Sequence, residues 1–178
     1  MAHKLELEVH RFAKEYATLF SSPDCSNANI VAEHAKQISQ CYRSGFTVFT
    51  NGDIARYEVW WTASLLFAPQ LTRSQTQREA AQLTETEMRN NIATSTGTNL
   101  ELLAICRIEI YSQTFALCWI KWCFHPAAGS PFAGNDWTFT NVYGYRAAAD
   151  GKENGWELVI RDEEVNAMVR ATGSNFLR

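Results

Sequence analysis

The sequence predicts an α+β domain, because helical spacing dominates its beginning and strand alternation its second half. Apolar side chains recur three and four positions apart over residues 5–20, which is the spacing of one helix face. Over residues 100–111 a wholly apolar face alternates with a mixed one, as in a strand with one side in a core. Helices that precede consecutive strands are typical of an antiparallel sheet with helices packed against it.

Three helices are predicted before the long strands. The first covers residues 5–20, the second residues 27–42 and the third residues 54–67, where Pro69 ends it. A short strand over residues 46–53, FTVFTNGD, separates the last two and ends in an Asn-Gly turn. The chain is therefore expected to enter its sheet once before the third helix.

Residues 70–98 differ from the rest, being rich in Gln, Thr, Arg, Glu and Asn. A polar helix is expected around residues 78–92, followed by a loose loop. A mobile lid and a plain solvated connection both fit this composition. We expect a single domain over residues 1–178, of which this segment is an insertion.

Four long strands and a closing helix are predicted after the insertion. Asp162 is the expected N-cap of the helix, with Glu163 and Glu164 in its first turn, where acidic side chains are favoured. The strands share alternation and turn-rich boundaries, and they cover residues 100–111, 113–125, 135–146 and 156–161. The apolar face of the first of these strands is expected to hold Leu100, Leu102, Ala104, Cys106, Ile108 and Ile110.

The stretch NDWTFTNVYGYR, residues 135–146, carries an unusual face. Every second position is an aromatic ring except for one amide, which gives Trp137, Phe139, Asn141, Tyr143 and Tyr145. Four rings alone fit a core or a dimer contact, whereas rings around an amide are typical of a pocket wall. The direction of this face decides between these alternatives.

Composition excludes several functions. The net charge is −3 and no Lys/Arg cluster is present, which argues against nucleic-acid binding. No apolar run is long enough for a membrane span, and the N-terminus lacks the apolar stretch of a signal peptide. Five cysteines, an odd number, indicate reduced thiols in a cytoplasmic protein.

No motif for a cofactor, metal or nucleophile stands out. The four histidines lack the spacing of metal ligands, and Cys118 and Cys123 fall on opposite faces of one strand. We therefore expect neither a cofactor nor a metal site.

The order of these elements resembles the nuclear transport factor 2-like superfamily, and within it the SnoaL-like branch of polyketide cyclases and isomerases. The resemblance is carried by Tyr16 in the first helix, Asp24 in the break after it, FTVFTNG, and YGYRAAADGKENGWELVIRDEEV. It implies a cone, in which a strongly curved antiparallel sheet packs on three N-terminal helices around an apolar cavity. It also implies homodimers formed through the outer sheet face.

The resemblance implies one of two functions. The first is a cofactor-free isomerase, cyclase or dehydratase that acts by acid/base chemistry on a hydrophobic ring-bearing metabolite, polyketide- or terpenoid-like. The second is a non-catalytic module that binds a small hydrophobic ligand or a partner. A titratable side chain inside the cavity distinguishes them, because catalysis needs a base there.

The candidate acid/base residues each have a plainer interpretation. In ketosteroid-isomerase-like relatives the base lies in the first short strand, where FTVFTNG offers Thr50 and Asn51 but no carboxylate. Their helical tyrosine donor does match Tyr16. Asp136 could overhang a pocket mouth or simply end a turn. Asp162 lies near the place of an acidic base in SnoaL-like cyclases but also fits a helix cap. His125 could be an acid/base group on the rim or a histidine without a role.

The predicted ligand-binding residues are aromatic side chains and one amide that would line the cavity. They are Tyr42, Tyr57, Trp60, Trp61, Trp119, Trp122, Asn141 and Tyr143.

Overall fold

A computed structural model describes residues 2–20, 33, 37–38, 40–57, 99–126, 128–148 and 154–174. Two helices described over their whole length and six strands occur in these ranges, which confirms the predicted α+β class. In chain order they are α1 (Ala2–Thr18), β1 (Tyr42–Thr50), β2 (Asp53–Tyr57), β3 (Asn99–Ile110), β4 (Phe115–His125), β5 (Trp137–Arg146), β6 (Gly155–Ile160) and α2 (Asp162–Thr172).

The six strands form one curved sheet in the order β2-β1-β6-β5-β4-β3. The last four strands of the chain are antiparallel neighbours in sequence order, as predicted. The sheet is nevertheless mixed, because β1 runs parallel to β6. No hairpin can join a parallel pair, and here the two strands lie at opposite ends of the sheet-forming part of the chain.

The core lies between the sheet and the two helices. The buried face of α1 holds Leu5, Val9, Ala13 and Tyr16, whose spacing of three or four residues keeps them on one side of the helix. Helix α1 packs on β3 and β4, and α2 packs on β5 and β1. The first predicted helix is therefore confirmed in position and in the face that it buries.

The predicted Asn-Gly turn is confirmed, but the helix expected to follow it is wrong at its start. Asn51 and Gly52 have positive φ angles of 49° and 88°, as a tight two-residue hairpin turn requires. The chain then returns along β1 as β2, with Thr50 opposite Asp53. Strand pairing therefore takes residues 54–57, the first residues of the predicted helix, into the sheet. The rest of that predicted helix lies outside the described residues.

The second predicted helix is described only in part. Glu33, Gln37 and Ile38 are helical, whereas Tyr42 already belongs to β1. The other residues of this predicted helix lie outside the described residues, as does the polar helix expected around residues 78–92. None of the helices in the described ranges is long and apolar enough to cross a membrane.

Strand β3 departs from strict alternation. Its pairing with β4 shifts between Leu102 and Ala104 and again between Ile105 and Arg107. Each such bulge moves the following side chains to the other face of the sheet. Ile105 therefore packs against the core, whereas Ala104 and Cys106, predicted on the apolar face, are exposed.

Helix α2 begins where predicted but is capped differently. Its N-cap is Arg161, which makes no side-chain capping hydrogen bond, and Gly173 ends it with a φ of 72°. The Asp162 carboxylate instead accepts the backbone N–H of Asn51 at 2.5 Å. Because the hairpin turn lies close to the start of α2, this carboxylate ties the turn to the helix.

Candidate active site

The aromatic face of β5 points into the core. Its five residues are 8% exposed or less, and the amide Asn141 is 1% exposed. The pleat keeps alternate residues on one side of a strand, so the whole set faces the two helices. This excludes a dimer contact for the face, and it places a polar amide among rings.

Asn141 is paired with a buried carboxylate. Its Nδ2 donates to Glu164 Oε2 at 2.7 Å. Glu164 is 8% exposed and lies on the buried face of α2 with Val165 and Met168. From the sequence, Glu164 was expected only to be an acidic residue of a first helical turn. The missed signal is its spacing, because positions 164, 165 and 168 share one helix face.

Burial sets the protonation of Glu164. Loss of solvent raises the pKa of this carboxyl above its ordinary value, and the Arg161 charge and the Asn141 hydrogen bond offset only part of that effect. A raised pKa makes a carboxylate a stronger base, so that it can take a proton from a substrate and later return it. This is the titratable group that an enzymatic function requires in the interior.

Three tyrosine hydroxyls lie beside this pair. The hydroxyls of Tyr16 and Tyr42 are 2.5 Å apart, and Tyr143 accepts from Asn141 Nδ2 at 3.5 Å. Burial is the main cause that raises the pKa of all three phenols well above the ordinary value. They therefore stay protonated and can donate hydrogen bonds.

Three buried polar atoms of this cluster have no hydrogen-bond partner among the described residues. They are Trp122 Nε1, Trp156 Nε1 and Asn141 Oδ1. The Trp122 N–H lies near enough to Tyr143 to lower the pKa of that phenol, yet it makes no hydrogen bond to it. Both indole rings flank Tyr16, with ring centroids 6.2 and 5.7 Å away. Buried polar groups are normally paired, so two donors and one acceptor remain for a bound molecule or water.

A second group of predicted residues lies at the end of β4. His125 Nδ1 is 2.9 Å from Asp136 Oδ2, and His125 Nε2 is 3.0 Å from Glu101 Oε2. Burial lowers the pKa of His125, but the two carboxylates raise it more, so that the net shift is upward. The pKa of the neighbouring Cys123 thiol is raised, first by burial and then by the charges of Asp136 and Glu101.

The structure separates the predicted site residues. Five of them meet in the interior: Tyr16, Tyr42, Trp122, Asn141 and Tyr143. Glu164 and Trp156 complete the cluster there. We call these seven residues the interior cluster.

The remaining predicted residues lie elsewhere. His125 and Asp136 contact each other away from the interior cluster, and Asp162 holds the hairpin turn. Trp119 has the opposite strand parity from Trp122, and the Arg107 guanidinium lies 5.2 Å from its ring centroid. Trp60, Trp61 and the Tyr57 side chain lie outside the described residues.

Solved structures share this architecture. A protein of unknown function from Shewanella oneidensis MR-1, described as NTF-2-like, has 11% identity and a TM-score of 0.50, covering 90% of this chain and 98% of that one. A Novosphingobium aromaticivorans DSM 12444 protein, named "Putative Scytalone Dehydratase", has 12% identity and a TM-score of 0.50, covering 90% of this chain and 86% of that one.

Sequence comparisons add nothing to these likenesses, because neither a protein-family model nor a curated protein matches the chain. At this level of identity the likeness to solved structures concerns only the fold. The curved sheet, its strand order and its packing against α1 and α2 agree with that likeness. The chain therefore has the nuclear transport factor 2-like fold.

Proposed function

We propose that the chain is a cofactor-free lyase or isomerase, with Glu164 as the proton-transfer group. The observation that carries this proposal is the buried Glu164 carboxyl, held at 2.7 Å by Asn141 inside an aromatic core. The ionised form of a carboxyl in such surroundings is strongly disfavoured unless a charged or hydrogen-bonding partner stabilises it. Buried carboxyls with shifted pKa values are therefore common at functional sites. For Glu164, the Arg161 charge and the Asn141 amide donor offset only part of the cost of ionisation.

The chemistry that fits is elimination or isomerisation next to a carbonyl. In an elimination, Glu164 takes the proton from the carbon beside the carbonyl, and the C–H electrons form an enolate. The enolate then expels the hydroxyl on the next carbon, which takes the proton back from Glu164 and leaves as water. The carboxylate is regenerated, so no cofactor is needed. Return of the proton to another carbon gives an isomerisation instead.

The tyrosines can stabilise the negative charge that develops on the carbonyl oxygen. Because burial keeps Tyr16, Tyr42 and Tyr143 protonated, their hydroxyls can donate to an oxygen that becomes negative. Donors that are already in place stabilise such an oxyanion without reorganisation. The unpaired N–H groups of Trp122 and Trp156 can serve the same oxygen or a second one.

The ligand class is inferred from the side chains of the interior cluster and the rings around it. Rings of Trp, Tyr and Phe favour a flat hydrophobic ring system. Two indole donors and one amide acceptor favour a molecule with both acceptor oxygens and a hydroxyl. A cyclic hydroxyketone, of polyketide or terpenoid type, satisfies both requirements. The dehydratase name of the Novosphingobium protein supports the same class, although its likeness concerns the fold.

The test is turnover of cyclic β-hydroxyketones, scytalone among them, by the purified full chain. Water loss is followed by the absorbance of the conjugated product, and isomerisation by deuterium uptake from D₂O in NMR spectra. We expect Glu164→Gln to lower kcat/KM by about 10²–10⁴-fold, as for loss of a general acid/base.

The matched control is Glu163→Gln, which makes the same substitution one residue earlier. Glu163 is exposed and accepts the Thr140 backbone N–H at 2.6 Å, so glutamine can keep that bond and turnover should persist. Undiminished turnover by Glu164→Gln would exclude Glu164 as the base. Binding of these ketones without elimination or exchange would favour the non-catalytic ligand-binding alternative.

A further inference from the structure

We propose that Cys123, His125 and Asp136 form a binding site for a divalent cation of the zinc class on the outer side of the sheet. One ligand atom from each residue lies within 4.8 Å of the other two. This inference is independent of the interior cluster and of the proposed function. It also departs from the sequence-based expectation that the chain has no metal site.

The strands bring these residues together. Cys123 and His125 are two positions apart on β4, so their side chains project from the same face. That face is opposite to Trp122 and Phe124, which belong to the core cluster. Phe124 pairs with Trp137 on β5, and this register places Asp136 beside His125.

The donor set suits zinc. A thiolate, an imidazole and a carboxylate are the three side-chain types that bind Zn²⁺, and three protein ligands leave a fourth position for water. Asp136 is half-exposed and His125 is 30% exposed, so this position is open to solvent. Cys123 is nearly buried, at 7% exposed, and forms the floor of the site.

Glu101 supplies the support that a metal-binding histidine usually has. Its carboxylate lies 3.0 Å from His125 Nε2, on the ring nitrogen that faces away from Asp136. A carboxylate there favours the tautomer with the proton on Nε2, which leaves the Nδ1 lone pair for the cation. The hydrogen bond between His125 Nδ1 and Asp136 is then replaced by two bonds to the metal.

Charge favours a cation at this place. The group contains two carboxylates beside a thiol, so negative charge accumulates when the thiol ionises. A divalent cation offsets that charge, and its binding releases the thiol proton. A histidine ion-paired to two carboxylates explains the contacts of His125, and the Cys123 sulfur within reach of both other ligands adds the third donor that a cation site needs.

The test is a titration of the reduced, metal-free full chain with Co²⁺, a spectroscopic substitute for Zn²⁺. We expect saturation at one ion per chain, confirmed by native mass spectrometry, with a thiolate-to-cobalt charge-transfer band in the near ultraviolet. Added Zn²⁺ should displace Co²⁺ and remove the band, since zinc is bound more tightly by such ligands.

Variants identify the ligands. Cys123→Ser should lose the charge-transfer band, whereas Cys106→Ser, which changes an exposed thiol on β3, should keep it. Glu101→Gln should weaken Co²⁺ binding by about 10–100-fold while keeping the band, as expected for a residue that positions a ligand. His125→Ala changes a partly exposed position and Asp136→Asn an exposed one. Both should abolish tight binding without unfolding the chain.

Several results would overturn the proposal. These are the absence of saturable binding, saturation without the charge-transfer band, and a band that disappears in Cys106→Ser rather than in Cys123→Ser. Unchanged affinity in His125→Ala or Asp136→Asn would do so as well. Circular dichroism of each variant shows whether it is folded. If Cys123→Ser does not fold, the His125→Ala and Asp136→Asn variants decide the matter.

Discussion

Replacing Glu164 by glutamine should change how the stability of the protein depends on pH. The folded-state pKa of Glu164 is raised above the ordinary value of 4.5, chiefly by burial. A carboxyl with a raised pKa binds its proton more tightly in the folded state. Its stabilising contribution is therefore complete below the unfolded pKa and is lost as pH rises through the folded pKa. Glutamine has no proton to lose, so the variant escapes this decline.

The magnitude follows from the proton linkage. Between the unfolded and the folded pKa of one group, the free energy of unfolding falls by at most about 1.4 kcal/mol per pH unit. Glu164 is almost completely buried, so solvent screening weakens this effect little. The Asn141 amide still finds an acceptor oxygen in glutamine. We therefore expect Glu164→Gln to gain stability relative to the natural chain as pH rises above 4.5.

The assay is urea unfolding followed by tryptophan fluorescence over a series of pH values. Glu163→Gln is the control, because it removes an exposed charge from the same helical turn. Its stability should follow the pH dependence of the natural chain. If the unfolding free energies of Glu164→Gln and the natural chain stay parallel across the series, the buried carboxyl does not have the raised pKa on which the proposed mechanism depends.

Three further changes test other parts of the structure. Asn141→Leu removes the amide donor of Glu164 and should lower the free energy of unfolding by about 1–3 kcal/mol in urea titrations; an unaltered midpoint would show that the pair is not coupled. Gly144→Ala brings a Cβ to 2.6 Å from Leu158 Cγ and should cost about 1–3 kcal/mol, whereas Gly129→Ala meets nothing within 4 Å and should leave the melting temperature unchanged. The homodimer expected through the outer sheet face predicts that Leu103→Glu, at a position 44% exposed, gives monomers in light-scattering measurements; a natural chain that is already monomeric would contradict that prediction.

The local elements of the fold were predictable from the sequence. The spacing of Val9, Ala13 and Tyr16 identified the buried face of α1, and Asn51-Gly52 identified a hairpin turn. The prediction failed where pairing with a distant strand outweighed the local pattern. Residues 54–57 were predicted to begin a helix from the spacing that follows them, yet they form β2 because the turn returns them to β1. The bulges of β3 depend on its register with β4, which no alternation within β3 reveals.

The candidate site was predictable only in part, for the same reason. Tyr42, Trp122, Asn141 and Tyr143 were identified from their residue types, whereas Tyr16 came from the resemblance to ketosteroid-isomerase-like relatives. Glu164 was not identified as part of the site, because an acidic residue in a first helical turn is ordinary until its neighbours are known. Its helical spacing with Val165 and Met168 was the available signal, but only the packing of α2 on β5 brings it to Asn141.

The sequence by itself determined that Trp137, Phe139, Asn141, Tyr143 and Tyr145 share one face, because the strand pleat is a property of the local backbone. The tertiary structure alone decided that this face points inward. Only the fold paired its amide with a carboxylate 23 residues further along the chain. Burial and pairing between distant residues arise from packing of whole elements, so the chemistry of Glu164 emerges only when the helix and the strand are in contact.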